Sequence, residues 1–147
     1  MKIRHLIVCG SYLWFCSVGV AKEERTETEI VRDAVDSMDG CYHWAEEVGG
    51  GGGEERAKQI EEGFERDCPP AKQKAAEVYR RFPKNPQLAL GILKMNDIGY
   101  LELSEKEKRE LCERHVIIAQ KEFLKAKRPD GYFRAFCPEQ AAEMYGQ

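Results

Sequence analysis

Cys41, His43, Glu46 and Glu47 fall within the run C-Y-H-W-A-E-E, the densest group of chemically capable side chains in the sequence. Steps of three and four residues place His43, Glu46 and Glu47 on one face of a helix. An imidazole beside two carboxylates, with a thiol nearby, is a donor set that a transition metal accepts. The plainer reading is a histidine at the edge of a core, held by a carboxylate, with Trp44 filling a neighbouring pocket. That reading is preferred, because no second histidine clusters with His43 and the H-E-x-x-H spacing is absent. No metal and no other cofactor is therefore expected, and His43 and Glu47 stay as the weak metal candidates.

Other chemistry is excluded on similar grounds. A cysteine nucleophile needs a free thiolate beside a base, whereas Cys41, Cys68, Cys112 and Cys137 form an even set that in an oxidising compartment pairs into disulfides. No G-x-S-x-G is present, and the glycine run 49–53 lacks the Lys-Ser/Thr that phosphate binding requires. The stretch from Asn96 to Glu105 resembles a calcium loop only faintly. Aligning Gly99 with the loop glycine puts Lys94 at the first ligand position, where a cation repels the ion. With no basic-aromatic motif, nucleic acid is not an expected partner. The expectation is a protein that is not an enzyme.

Charge is the feature that remains. Residues 22–68 hold 6 Lys/Arg against 15 Asp/Glu, and residues 69–147 hold 15 against 11. Glu46, Glu47, Glu54, Glu55, Glu61 and Glu62 gather around the glycine run and give an acidic tip. Solvation of exposed helix faces accounts for much of this. The sharper account is a protruding acidic surface, with Trp44 near its base, that steers toward a basic protein partner.

The elements that would position these residues are helical throughout. Thr26 and Glu29 form a capping box, after which Ile30, Val31, Ala34, Val35, Met38, Cys41, Tyr42 and Ala45 recur at helical spacing. Gly40 is a point where this helix could bend or end. The glycine run makes an exposed loop. Ala57, Ile60, Phe64 and Cys68 give the next helix an apolar edge, and Pro69-Pro70 is expected to stop it and start a third. Leu88, Leu90, Ile92, Leu93 and Met95 mark the most buried helix. Ser104 and Glu107 cap the longest, over residues 105–127, with Cys112 on its stripe. Pro129-Asp130-Gly131 reads as a turn, and the aromatic tail ending in Cys137 should pack back onto the domain. The expected fold is all-α, a compact bundle of about five helices stapled by two disulfides. Of the three possible connectivities, the local one is preferred: Cys41 with Cys68 across the hairpin, and Cys112 with Cys137 along the long helix.

The chain begins with Lys2, Arg4 and His5, then an apolar run of about 15 residues, then small residues ahead of Lys22. This is the pattern of a secretory signal peptide over residues 1–21, cut after Ala21. The run is too short for a membrane span of about 20 residues, so no stable membrane insertion is expected after cleavage. Residues 22–147 would then form a single helical domain, periplasmic or secreted.

At C-x-H-W-x-E-E (41–47), R-x-x-x-I (56–60) and Cys68, the chain resembles small exported proteobacterial proteins of unknown function that share a cysteine, His-Trp or His-Phe, acidic residues, an arginine helix and a second cysteine. The resemblance covers residues 41–82, and those proteins carry a shorter, polar loop in place of the glycines. It implies export and a stapled helical hairpin, and no activity. In size and general design the chain is also similar to immunity proteins that neutralise type VI amidase effectors. The leading expectation is a non-catalytic exported binding protein, an inhibitor or immunity factor acting through the acidic tip. A metal-binding protein using His43, Glu46 and Glu47, and a structural envelope component, are the alternatives.

Overall fold

Both capping boxes form. In the computed structural model, which describes residues 24–126 and 131–146, the Thr26 hydroxyl accepts from the Glu29 amide at 3.3 Å and the Glu29 carboxylate accepts from the Thr26 amide at 2.8 Å. This starts α1 (Glu27–Glu47), which continues through Gly40 without a break. A loop of glycines leads into α2 (Gly53–Arg81), and α3 (Leu88–Asp97) follows. Ser104 and Glu107 repeat the reciprocal cap at the start of α4 (Glu105–Ala126). The aromatic tail folds as two short helices, α5 (Gly131–Phe136) and α6 (Pro138–Tyr145). Among the described residues there is no strand, and no helix is long and apolar enough to cross a membrane. The signal-peptide expectation, and the turn residues Pro129 and Asp130, lie outside the described residues.

The architecture is all-α, with the antiparallel α1–α2 hairpin as its frame. Cys41 and Cys68 are bonded across it with their Cα atoms 4.7 Å apart. Val31 and Val78, Ala34 and Ala75, and Met38 and Ala71 stand in the same antiparallel register on either side, and all six are buried. Each of these pairs includes a small or β-branched residue. That choice suits helices whose backbones come so close. Toward the loop the same requirement falls on Gly63: a Cβ there would run into the Trp44 ring.

Two linked expectations fail, the break at Pro69-Pro70 and α4 as the longest helix, because α2 has 29 residues against 22 for α4. Pro69-Pro70 does not separate two helices; α2 runs through both prolines as one helix of 29 residues. Two prolines leave the carbonyls of Glu65 and Arg66 without helical donors. Pro69, Pro70, Glu65 and Arg66 are all exposed, so water can satisfy those carbonyls. Meanwhile Cys68 and Ala71, on the opposite side, are fully buried and hold the helix in line.

α3 is the most buried helix, as its composition predicts, with seven of its ten residues inside. Its Gly91 packs on Met38 of α1. α4 is stapled to the tail by the Cys112–Cys137 bond, Cα to Cα 5.5 Å, so both disulfides follow the local pairing. Phe133 of α5 is fully buried and lies edge-on to His115 of α4, ring centroids 4.9 Å apart.

Gly63 and Gly91 provide a matched comparison. An added methyl would strike a rigid indole at Gly63, but at Gly91 it would meet the flexible end of Met38 at 2.7 Å. Alanine brings both sites the same helix-propensity gain, so Gly63→Ala should be less stable than Gly91→Ala by about 1–2 kcal/mol. Urea unfolding checks this, and equal stabilities would mean that Trp44 can move aside.

Candidate functional site

The loop end of the hairpin is built by the point at which α1 stops. α1 finishes at Glu47, and the chain then turns through Gly49, Gly51, Gly52 and Gly53, all with positive φ between 79° and 111°. L side chains rarely adopt that region, so the turn requires glycine. Val48 precedes it and is 64% exposed.

Trp44 is the anchor of this end. Its indole N–H donates to Asp67 at 2.7 Å. Its ring lies against Gly63, with the guanidinium groups of Arg56 and Arg66 each 6.0 Å from the ring centre. Arg66 in turn grips Asp67 through two bonds of 2.8 Å. The Arg66 guanidinium holds the Asp67 carboxyl below the usual aspartate value, partly opposed by burial and aided to a lesser degree by the Trp44 indole.

The three metal candidates do not come together. Glu47 binds Arg56 at 2.9 Å, and that guanidinium keeps its carboxyl below the ordinary range. His43 Nε2 is 4.0 Å from the other Glu47 oxygen. Glu46 faces away toward α5 and accepts from the Tyr132 hydroxyl at 2.9 Å. Among the described residues no group of three or more His, Cys, Asp or Glu side chains could hold a metal ion. At this end of the hairpin the carboxylates without ion pairs among the described residues lie on α2: Glu54, Glu55 and Glu61 are exposed and unpaired, while Glu62 has only an exposed contact with Lys58 at 3.8 Å.

Composition did not announce the feature at the centre of this end. A cleft of about 650 Å³ opens between the glycine loop and α2. Val48, Ala57, Ile60 and Phe64 form its apolar floor, and Glu47, Glu61 and Glu65 stand on its rim. Ala57, Ile60 and Phe64 read in sequence as an edge that packs on the partner helix. The hint was that this stripe faces five residues without side chains, so its first turns have nothing to cover them. Phe64 is braced from behind by Tyr100, stacked with centroids 5.8 Å apart. A second cleft, of about 500 Å³, lies at the far end of the hairpin. Its central carboxylate, Asp33, is already bridged to Lys74 at 3.2 Å and Arg25 at 3.5 Å.

Lys94 was also missed. It is nearly buried, with Nζ 2.8 Å from Asp39 and 4.1 Å from the centre of the Tyr132 ring. Tyr42 lies beside it and donates to Asp97 at 3.2 Å. Burial, and then the Asp97 charge, push the Tyr42 phenol up to about 12. Lys94 thus ties α5 to the hairpin. The Asn96 side chain closes the following turn by accepting from the Leu103 amide at 3.0 Å.

No protein-family model, no curated protein and no solved structure matches this chain.

Asp67 is a group whose folded pKa is depressed. Its bonds therefore contribute in full above 3.8 and are lost as pH falls through the lower folded value. The Trp44 indole N–H resonance should shift with a midpoint below 3.8. In Asp67→Asn, which keeps an acceptor but cannot ionise, that shift should be absent. A midpoint at or above the ordinary value would contradict this description of the pair.

Proposed function

We propose that this is a non-catalytic exported binding protein that offers the acidic end of its hairpin to a basic protein partner, as an inhibitor or immunity factor does. The observation that carries this reading is the set of exposed carboxylates of Glu54, Glu55 and Glu61 beside the cleft, unpaired within the described chain. Surface carboxylates with internal partners serve solvation and local helix pairing. Those without partners on a protruding end raise the encounter rate with a cationic surface and select against anionic ones. Trp44 supports the reading from within: pinned by Asp67, Gly63 and two arginines, it keeps the end of the hairpin in one shape. Two disulfides in a domain of this size support an oxidising compartment, and with it export to the periplasm or beyond.

The test is capture from an envelope extract. The disulfide-bonded protein should retain a basic partner at low salt and release it at high salt. Replacing Glu54, Glu55, Glu61 and Glu62 by lysine should weaken binding of that purified partner by about tenfold or more while leaving the far-ultraviolet circular dichroism unchanged. Equal binding by the charge-reversed protein would remove the acidic end from the recognition surface.

A further inference from the structure

The acidic end could act as a flat electrostatic lure, but its geometry is concave and its floor is apolar. We infer that the cleft under the glycine loop is a specific peptide-binding site, which takes one or two apolar side chains flanked by lysine or arginine from the basic partner. This rests on the proposed function and names the element of the partner that the site recognises.

Three observations converge on that occupant. The volume, about 650 Å³, falls within the range of roughly 300–1,000 Å³ typical of ligand pockets and exceeds what one side chain needs. The floor of Val48, Ala57, Ile60 and Phe64 offers a ligand apolar contact and no hydrogen bond, and Val48 is left 64% exposed with nothing in the described chain to cover it. The rim sets the sign of the flanking charge. Glu61 and Glu65 have no ion-pair partner in the described chain, and Glu47 spends one oxygen on Arg56. A fatty acid or lipid phosphate entering here would bring its anion against these carboxylates. A second copy of the chain would oppose the same carboxylates to themselves. A peptide with cationic flanks brings the opposite charge, with the aliphatic stems of its lysines extending the apolar contact.

The glycine run then has a role beyond turning the chain. Gly49, Gly51 and Gly53 line the cleft, and a Cβ at any of them would meet no atom within 4 Å. All three also hold a positive φ that L side chains rarely adopt, so the conformation that turns the chain also keeps side chains out of the mouth. Their absence leaves the mouth open.

The experiment uses three fluorescein-labelled peptides, KRKWLKRKG, KRKSSKRKG and EEEWLEEEG, followed by anisotropy against the disulfide-bonded protein at low ionic strength. KRKWLKRKG should bind at least about tenfold more tightly than KRKSSKRKG, the loss expected when buried apolar side chains are removed. Ala57→Trp, a change at an exposed helix position that fills the cleft, should bring the first peptide down to the second. Val48→Ser gives the same direction of change should Ala57→Trp fail to fold. Equal binding of the two basic peptides, untouched by either variant, would overturn the cleft while leaving the acidic surface in place. Binding of EEEWLEEEG as tight as that of KRKWLKRKG, or no binding of either basic peptide, would overturn both. A dimer that Ala57→Trp dissociates would assign the cleft to a second copy instead.

Discussion

The bond between Cys41 and Cys68 sets the spacing on which the rest of the molecule depends. With Cα atoms about 2.3 Å from each helix axis, the Cα separation of 4.7 Å at the bond fits the usual packing distance of about 8–10 Å between axes and fixes it at one point of the frame. Near that point, large side chains cannot face one another. The residues in register are alanines, valines and a methionine opposite an alanine, and the glycine at position 63 receives the Trp44 indole. Hydrophobic burial in this hairpin is thus modest per residue, because small side chains remove little area from water. Much of the core's bulk comes instead from α3, whose Leu88, Ile92 and Met95 are fully buried, and from Leu111 and Phe133 in the second half.

The two halves of the chain meet through an unequal exchange of charge. The acidic hairpin does not neutralise itself on the basic half in general; it does so at a few chosen places. Asp33 takes Lys74 and Arg25, Asp39 takes the nearly buried Lys94, and Asn85 donates to Glu27 at 2.8 Å. Lys94 gains further from the face of Tyr132, a cation over an aromatic ring in a partly desolvated setting. These contacts lie along the body of α1. Toward the loop from Glu47 and Asp67, the described ion pairing is reduced to the exposed Lys58–Glu62 contact, and Glu54, Glu55, Glu61 and Glu65 face solvent unpaired. The asymmetry visible in the composition is therefore offset at Asp33 and Asp39 along the hairpin and left standing at its loop end.

Much of this fold was legible because its signals are local. A threonine or serine three residues before a glutamate marks a helix start whatever lies around it, and both such sites cap as expected. Cysteines placed in line with an apolar stripe announce buried bonds, and α3 reads as an interior helix from its composition alone. Failures came where the outcome depends on what lies on the other side of a helix. Pro69-Pro70 is a helix stop by local rules, yet the prolines face water while Cys68 and Ala71 face a partner that keeps the helix straight. His115 reads as a residue at the edge of a stripe and is buried because Phe133 arrives from the tail. The cleft was hidden for a related reason: periodicity identifies an apolar edge but cannot say where the opposing helix ends. The pairing of His43 with Glu47 was foreseeable from a step of four, whereas Arg56 on Glu47 and Tyr132 on Glu46 required the tertiary fold.

The two cystine loops are consecutive along the chain. Cys41 closes with Cys68, 27 residues later, and Cys112 closes with Cys137, 25 residues later, with no overlap between the spans. Among the four described cysteines, joining each in chain order to the next unpaired one gives both bonds of the fold. Interleaved connectivities would require an early cysteine to wait or a wrong bond to be exchanged, steps that take seconds to hours. The Cys41–Cys68 bond and the Trp44–Asp67 hydrogen bond both lie wholly within the hairpin. A pairing order that needs no exchange between these four cysteines is thus written into their positions along the chain.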